Sequence, residues 1–320
     1  MKQPSTEWLE RIAPDEEARF ARGVKVMGDL QRSRSAKFGK GRGLHRKQLI
    51  AAAGTLDVLD GLPDHARHGL FARPGRHRVL VRLSNGSSDV QANIVPATRG
   101  FALKVLDVSG AGAAGGTVDH QDFVMTNQVR FQTRESGEFF DMMEASIAGS
   151  PNVILHLFRA YGLGAFPRLG VLVATLARKF NSFAVERFNT VVPICCGPYA
   201  VKARLKPVGN PPRATWFSDI AEDMRRRLAV GEVVYDLELQ FFVDEATTPI
   251  EDASKIWPDA ETPIVTVGRL TLRAPEAGAD SEVDAMHFDP WGGLAAHRPL
   301  GEMMRARRLT YRESQSARAS

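Results

Sequence analysis

Apolar residues alternate with polar ones in five segments of the chain, and this alternation constrains the fold more than any other feature. Successive side chains of a β-strand point to opposite faces, so such segments are typical of strands with one buried face. The alternating residues are Val79, Val81 and Leu83; Phe101, Leu103 and Val105; Val201, Ala203 and Leu205; Tyr235, Leu237, Leu239 and Phe241; and Val265, Val267, Leu270 and Leu272. The register of the last segment shifts by one residue at Gly268, which predicts a β-bulge.

Helical spacing occurs before, between and after these strands. It predicts helices from Thr6 to about Leu30, within residues 135–179, and from about Gly301 onwards. Residues 32–47 carry seven basic residues, three glycines and no acid, which indicates an extended, solvated arm. The sequence therefore predicts an α+β chain with an antiparallel sheet. Neither a repeat nor a linker is evident, so we expect one domain over 1–320, with helix and arm in 1–35 and a helix in 300–320.

Composition excludes several classes of protein. With 43% hydrophobic and 25% charged residues, a chain of 320 residues is expected to be globular. The two cysteines, Cys195 and Cys196, are too few for a disulfide framework or a thiolate-held cluster, and they favour a reducing compartment such as the cytoplasm. Charges run through the first twenty residues, which argues against a signal peptide. The longest apolar run, Leu169 to Ala177, is too short to cross a bilayer.

Two motifs are weaker than they first look. Gly110, Gly112 and Gly115 match the spacing of a dinucleotide-binding loop, but a further strand follows instead of a helix, so a hairpin loop is the better interpretation. Asp119, His120 and Asp122 could bind a metal ion, although no partner set is evident. The net charge of +5 is modest, and the strands lack interleaved aromatic and basic residues, so nucleic acid is not an expected partner.

The C-terminal helix contains the first strong chemical signal. Arg307, Tyr311 and Arg318 fall within roughly 40° of one another on a helix, at about 100° per residue. A guanidinium one turn away favours the phenolate form of a tyrosine. Of the four tyrosines in the chain, only Tyr311 has an arginine four residues before it. A tyrosinate can bind haem iron, but taken on its own this motif is better explained by an exposed tyrosine on a basic tail.

Three further motifs precede this helix in the chain. They are Arg42-x-x-His45, Val81-Arg82-x-Ser84 and Arg99-Gly-Phe-Ala-x-Lys104. In this order, and followed by Arg-x-x-x-Tyr-x₆-Arg, they resemble the haem catalase family. Residues 240–257 look like the small catalase-related peroxidase branch, which extends the resemblance over most of the chain.

The resemblance implies an antiparallel β-barrel that encloses haem b, with helices packed outside. On one side of the haem, His45 would be the acid–base group, and Ser84 would hold its other ring nitrogen and so fix the tautomer. The family also has an asparagine a few residues past Asp122. Thr126 and Asn127 compete for that position, and Asn127 is favoured.

On the other side, the resemblance assigns Tyr311 as the iron ligand and Arg307 as its electrostatic partner. The anionic propionates of haem would pair with Arg42, Arg82 and Arg318, since guanidinium groups suit carboxylates. The chain lacks the Pro-Asp that follows the tyrosine in large catalases, and also their long wrapping segment. A less enclosed haem would accept bulkier substrates.

The function that this implies is a haem-dependent, catalase-like peroxidase. It would act on hydrogen peroxide and organic hydroperoxides with an organic electron donor, and it could form a homo-oligomer. One alternative is a fatty-acid hydroperoxide dehydratase or lyase on the same scaffold, with the apolar block from Ile154 to Phe180 as a lipid-facing surface rather than a packed helix. Another is a β-barrel that binds haem or another ligand without catalysis.

Overall fold

Nine β-strands and six α-helices lie in the part of the chain that the computed structural model describes: residues 2–147, 150–166, 169–170, 173–174, 180–213, 219–276 and 278–319. The strands are β1 Gln48–Val58, β2 Gly75–Asn85, β3 Arg99–Ala111, β4 Thr117–Thr126, β5 Phe188–Asn189, β6 Ile194–Cys196, β7 Tyr199–Pro207, β8 Val233–Phe241 and β9 Ile264–Arg273. The helices are α1 Glu16–Phe38, α2 Ser136–Ile147, α3 Ser150–Tyr161, α4 Ile220–Val230, α5 Ala279–Ala285 and α6 Glu302–Ala319.

The strands form an antiparallel barrel. Their hydrogen-bonded order is β5-β4-β3-β2-β1-β9-β8-β7-β6, and β5 also pairs with β7. This second pairing closes a ring of eight strands, with β6 attached to β7 outside it. Asn189 of β5 makes the closure, because it lies opposite Thr126 of β4 and Arg204 of β7. The predicted α+β class, with an antiparallel barrel, is confirmed.

The barrel interior is filled by the residues that the alternation predicts. Val81, Leu103, Leu205, Leu237 and Leu270 are completely buried, one from each of five strands. Burying a side chain of this size stabilises the fold by about 1.5–3 kcal/mol. The interior is therefore a packed core, and any cavity for a ligand must lie beside the barrel.

The predicted bulge is present in β9. Leu237 of β8 lies opposite Gly268 and Glu238 lies opposite Thr266, so Val267 has no partner of its own across the ladder. An extra residue of this kind bends the strand and increases its twist, which helps a sheet to curve into a closed barrel.

The helix predicted from Thr6 to about Leu30 is wrong at both ends. The segment before Ala13 is not helical, and Trp8 donates a hydrogen bond to the carbonyl of Pro198 (2.8 Å). The helix begins at Glu16 and continues through the basic stretch to Phe38, so the arm starts only at Gly39, where φ is +82°. Lysine and arginine are good helix formers, and part of the run predicted as arm is the last turns of α1.

The predicted helical block 135–179 is confirmed over α2 and α3. Arg168, Arg178 and Lys179 lie outside the described residues. On α3, Leu157 is buried, whereas Ile154, Leu155 and Phe158 are 48%, 45% and 37% exposed, so the helix that the sequence favoured as packed is packed only in part. Among the described helices, none is both long enough and apolar enough to span a membrane.

The glycine-rich motif has the structure that the sequence favoured. Gly115 and Gly116 have φ of +97° and +69° and turn the chain between β3 and β4, so the glycine-rich segment is a hairpin loop. Cys195 and Cys196 are buried and free, and burial raises their pKa values to about 11 and about 12. Within the described chain, no group of three or more potential metal ligands comes together.

Candidate active site

A cavity of about 300 Å³ lies against the outside of the barrel, between β2, β3 and β4, the arm that follows α1, and the helices α1, α2 and α6. Seven of the eight residues singled out in the sequence line it: Arg42, His45, Arg82, Ser84, Arg307, Tyr311 and Arg318. They come from three separate segments of the chain: the arm, β2 and α6. The fold therefore brings together residues that are as many as 276 positions apart in the sequence.

His45 is held in place through both its backbone and its side chain. Its φ of +48° is in the left-handed region, which is uncommon for a residue other than glycine. Its amide donates to the carbonyl of Gly86 (3.3 Å), and its Nδ1 lies 3.0 Å from Oγ of Ser84. Since Nδ1 is engaged, Nε2 is the ring nitrogen available for proton transfer.

Gly100 makes room for this pair. It lies opposite Ser84 in the β2–β3 ladder. A Cβ at this position would lie 2.4 Å from Nδ1 of His45 and 2.5 Å from Oγ of Ser84, closer than real contacts allow. The second residue of the Arg-Gly-Phe-Ala motif must therefore be glycine for the imidazole to pack against the strand.

The surroundings of His45 keep its imidazole neutral. Burial, followed by the positive charges of Arg82, Arg307 and Arg42, lowers its pKa to about 3. A charged ring would be desolvated and repelled at the same time. At neutral pH the ring is therefore unprotonated, which is the form that a general base must have.

Tyr311 and Arg307 form the pair that the helical spacing predicts. Nη2 of Arg307 donates to the phenolic oxygen of Tyr311 (3.0 Å), and the guanidinium lies 5.3 Å from the centre of the tyrosine ring. A charged donor stabilises a phenolate more than a phenol. The pair thus places the phenolic oxygen at the cavity with a charged hydrogen-bond donor beside it.

The remaining arginines surround a carboxylate that the sequence did not reveal. Asp284 on α5 accepts from Arg42 (2.8 Å) and from Nε of Arg82 (3.0 Å). Arg82 is 3% exposed, and burial lowers its pKa to about 9. Nε of Arg318 is buried and has no hydrogen-bond partner. This corner of the cavity therefore has more positive charge than one aspartate neutralises.

The position of Asn127 differs from the expectation. Asn127 is buried and does not line the cavity; its Oδ1 accepts from the backbone amide of Arg99 (2.8 Å), whereas Thr126 is in the cavity wall. Neighbouring residues at the end of a strand point to opposite sides, so a one-residue offset decides which of them faces a ligand. The favoured residue faces away, and the structure places Thr126 at the cavity instead.

The rest of the cavity wall is mostly apolar. It includes Phe101, Met125, Phe140, Phe288 and Met303. A pocket with apolar walls, a cluster of guanidinium groups and a tyrosine paired with arginine fits a flat, largely apolar molecule that carries carboxylates and a Lewis-acidic centre. Haem b has these properties, so the residues present fit this group.

Comparison with known proteins supports the fold. No family model and no curated protein matches the sequence. Solved structures do match: a fungal catalase (18% identity, TM-score 0.70, 87% of this chain and 59% of that one), catalase A from Saccharomyces cerevisiae (16%, 0.70, 88% and 62%) and a bacterial catalase (17%, 0.69, 88% and 58%). The chain thus spans about three fifths of these catalases. At this level of identity, the likeness shows a catalase-like fold.

Proposed function

We propose that this chain is a haem-dependent peroxidase that reduces hydrogen peroxide and organic hydroperoxides at the expense of an organic electron donor. The observation that carries the proposal is the pair Arg307–Tyr311 in the same cavity as the pair His45–Ser84. The catalase-like fold supports it. In this proposal Tyr311 is the iron ligand, and Arg42, Arg82 and Arg318 hold the propionates.

The protein side of the mechanism follows from the state of His45. Haem, when bound, would supply the redox-active iron and the electrons needed to break the O–O bond. Nε2 of neutral His45 takes the proton from the hydroperoxide and delivers it to the leaving oxygen, which is general acid–base catalysis. Ser84 holds the ring through Nδ1. Nε2 therefore keeps its position and both accepts the proton and returns it.

Arg307 acts on Tyr311 in a different way. Its guanidinium donates a hydrogen bond to the phenolic oxygen and would hold that oxygen in place as a ligand. The other arginines hold and orient the anionic edge of the cofactor. The protein thus binds and orients the cofactor and tunes its reactivity, whereas the redox chemistry belongs to the cofactor itself.

The test is an absorption spectrum of the protein reconstituted with haem. We expect a ferric Soret band, and we expect Tyr311→Phe to lose stable haem binding while Tyr199→Phe retains it. Tyr199 is a matched control because it lies outside the cavity. If Tyr311→Phe keeps haem with the native spectrum, the ligand assignment is wrong. If no haem binds to the intact protein, the whole proposal fails.

A fatty-acid hydroperoxide dehydratase or lyase is the second candidate. The exposed apolar residues of α3 favour it. The helix α3 follows directly on α2, and Phe139 and Met143 of α2 line the cavity. A lipid hydroperoxide approaching along α3 would meet the cavity there. Product analysis distinguishes the two reactions: a peroxidase yields the hydroxy fatty acid and consumes donor, whereas a dehydratase or lyase consumes none.

A further inference from the structure

A second cavity, of about 780 Å³, shares part of its wall with the first one. It is a groove formed by the outer face of the β3–β4 hairpin, the segment 286–292 and the exposed side of α6. None of the residues that carry the proposed haem chemistry lines it. We refer to it as the outer groove.

The floor of the outer groove is rigid. Lys104 and Asp122 form a buried ion pair (2.6 Å), and the other carboxylate oxygen of Asp122 accepts from the amide of Asp289 (2.9 Å). The neighbouring Gln121 accepts from the amide of Leu294 (2.9 Å). Two adjacent residues of β4 therefore fix both ends of the segment that carries Trp291.

Trp291, which is 7% exposed, contributes the aromatic part of the groove wall. Its Nε1 donates to the carbonyl of Met304 on α6 (2.8 Å), and the guanidinium of Arg308 lies 4.9 Å from its ring centre. The groove is also lined by the aliphatic side chains of Leu106, Val108 and Val118. A flat apolar molecule fits such walls.

The charges of the groove leave positive groups for a ligand. Its carboxylates are engaged: Asp107 with Arg78, Asp119 with His120, Asp122 with Lys104, and Asp289 with Gln315. By contrast, Arg308 and Arg312 form no ion pair with any residue in the described part of the chain. A carboxylate on the ligand would supply the missing partner.

The wall between the outer groove and the candidate active site is one residue thick. Gln315 lines both cavities, and its Nε2 donates to Asp289 (2.8 Å). In the segment beside it, Phe288 lines the active-site cavity, whereas His287 and Asp289 line the groove. A molecule in the groove is therefore separated from one in the active site by a single layer of side chains.

We propose that the outer groove binds the electron donor, a phenol that also carries a carboxylate, and that electrons cross this wall to the active site. The inference rests on the proposed function. Each donor molecule gives up one electron and its phenolic proton, so two molecules reduce one hydroperoxide: ROOH + 2 ArOH → ROH + H₂O + 2 ArO•. Hydroperoxide and donor would then use separate cavities, and neither would block the other.

Binding to the haem-free protein tests the groove without any activity. Calorimetric titration compares ferulate, a carboxylated phenol, with guaiacol, its neutral counterpart. In the double variant Arg308→Gln/Arg312→Gln we expect the Kd for ferulate to rise about fivefold, in line with exposed charge pairs. The Kd for guaiacol should not change. The control Arg269→Gln/Arg273→Gln removes two exposed arginines of β9, and it should change neither Kd. Equal ferulate affinity in the wild type and the groove variant would overturn the proposal.

Kinetics of the haem-loaded protein test the role of the groove. The groove variant should raise KM for ferulate by a similar factor and leave KM for the hydroperoxide as it is, and ferulate should not compete with a bulky hydroperoxide. Competitive inhibition, or an unchanged KM for ferulate, would show that the donor enters the active-site cavity. Failure to bind haem would instead overturn the proposed function and the donor role, but not the binding of ferulate in the groove.

Discussion

The two sides of the candidate active site are built by different means. On the arm side, His45 is positioned by a left-handed backbone, by Ser84 and by the missing side chain of Gly100. On the helix side, Tyr311 meets Arg307 through the spacing of one helical turn. The arm side thus depends on the register of β2 against β3, whereas the helix side depends on where α6 is anchored.

The anchor of α6 is a cluster of ion pairs at its first turn. Arg305 pairs with Glu10 (2.9 Å), Glu16 (2.6 Å) and Glu251 (3.2 Å), and these carboxylates raise the pKa of its guanidinium. On the arm side, one methyl group added at Gly100 should therefore displace the catalytic pair. On the helix side, removing the charge of Arg305 should loosen α6. The following predictions test this difference.

The largest effect is expected from Gly100→Ala. The added methyl group displaces His45 or Ser84, so the haem-loaded variant should reduce hydroperoxides about 10²- to 10⁴-fold more slowly, the usual contribution of a positioned acid–base group. Stopped-flow kinetics at equal haem content would measure it. Gly231→Ala is the control, because a Cβ there meets no atom within 4 Å. Wild-type kinetics in Gly100→Ala would show that strand register does not position His45.

On the helix side, Arg305→Gln should reduce the free energy of unfolding by about 2–3 kcal/mol, because three carboxylates lose their shared partner. Urea denaturation of the haem-free protein would measure the loss. Arg269→Gln, which removes an exposed pair with Asp236, should cost less than about 1 kcal/mol. Equal losses in the two variants would show that the cluster does not anchor α6.

The sequence could predict the features that depend on local spacing, and it missed those that depend on distant contacts. Strand positions and the Arg307–Tyr311 pair depend on local periods, and both can be read from the chain. The choice between Thr126 and Asn127 depends on a one-residue offset at the end of β4, which no local pattern determines. Asp284 was missed because it meets Arg42 across 242 positions, and no motif surrounds it.

The beginning and end of α1 were missed for a related reason. Trp8, Leu9 and Ile12 have helical spacing, yet this segment is held by tertiary contacts such as the bond from Trp8 to Pro198. Leu9 and Ile12 are 68% and 74% exposed. Their spacing therefore reflects no buried face, and periodicity alone does not distinguish such a segment from a helix.

A third prediction concerns Asp284, which pairs with Arg42 and Arg82 on the arm side. Asp284→Asn should destabilise the haem-free protein by about 1–2 kcal/mol, because buried Arg82 loses its charged acceptor. Added haem should reduce this loss, since a propionate would take the place of the carboxylate. Thermal unfolding with and without haem would measure both. The same loss in both states would mean that no propionate reaches Arg82.

The smallest effect is expected from the titration of His45. Its pKa is about 3 in the folded protein and near 6.5 in the unfolded chain, so the unfolded state binds more protons and stability falls as pH falls below about 6.5. Between pH 7 and pH 6 the wild type should lose about 0.7 kcal/mol more than His45→Gln. Buried His297, whose pKa is also lowered, contributes equally to both proteins and cancels. An equal pH dependence, or an NMR titration of His45 near pH 6.5, would show that the ring is solvated, and that the arginines do not keep it neutral as a base.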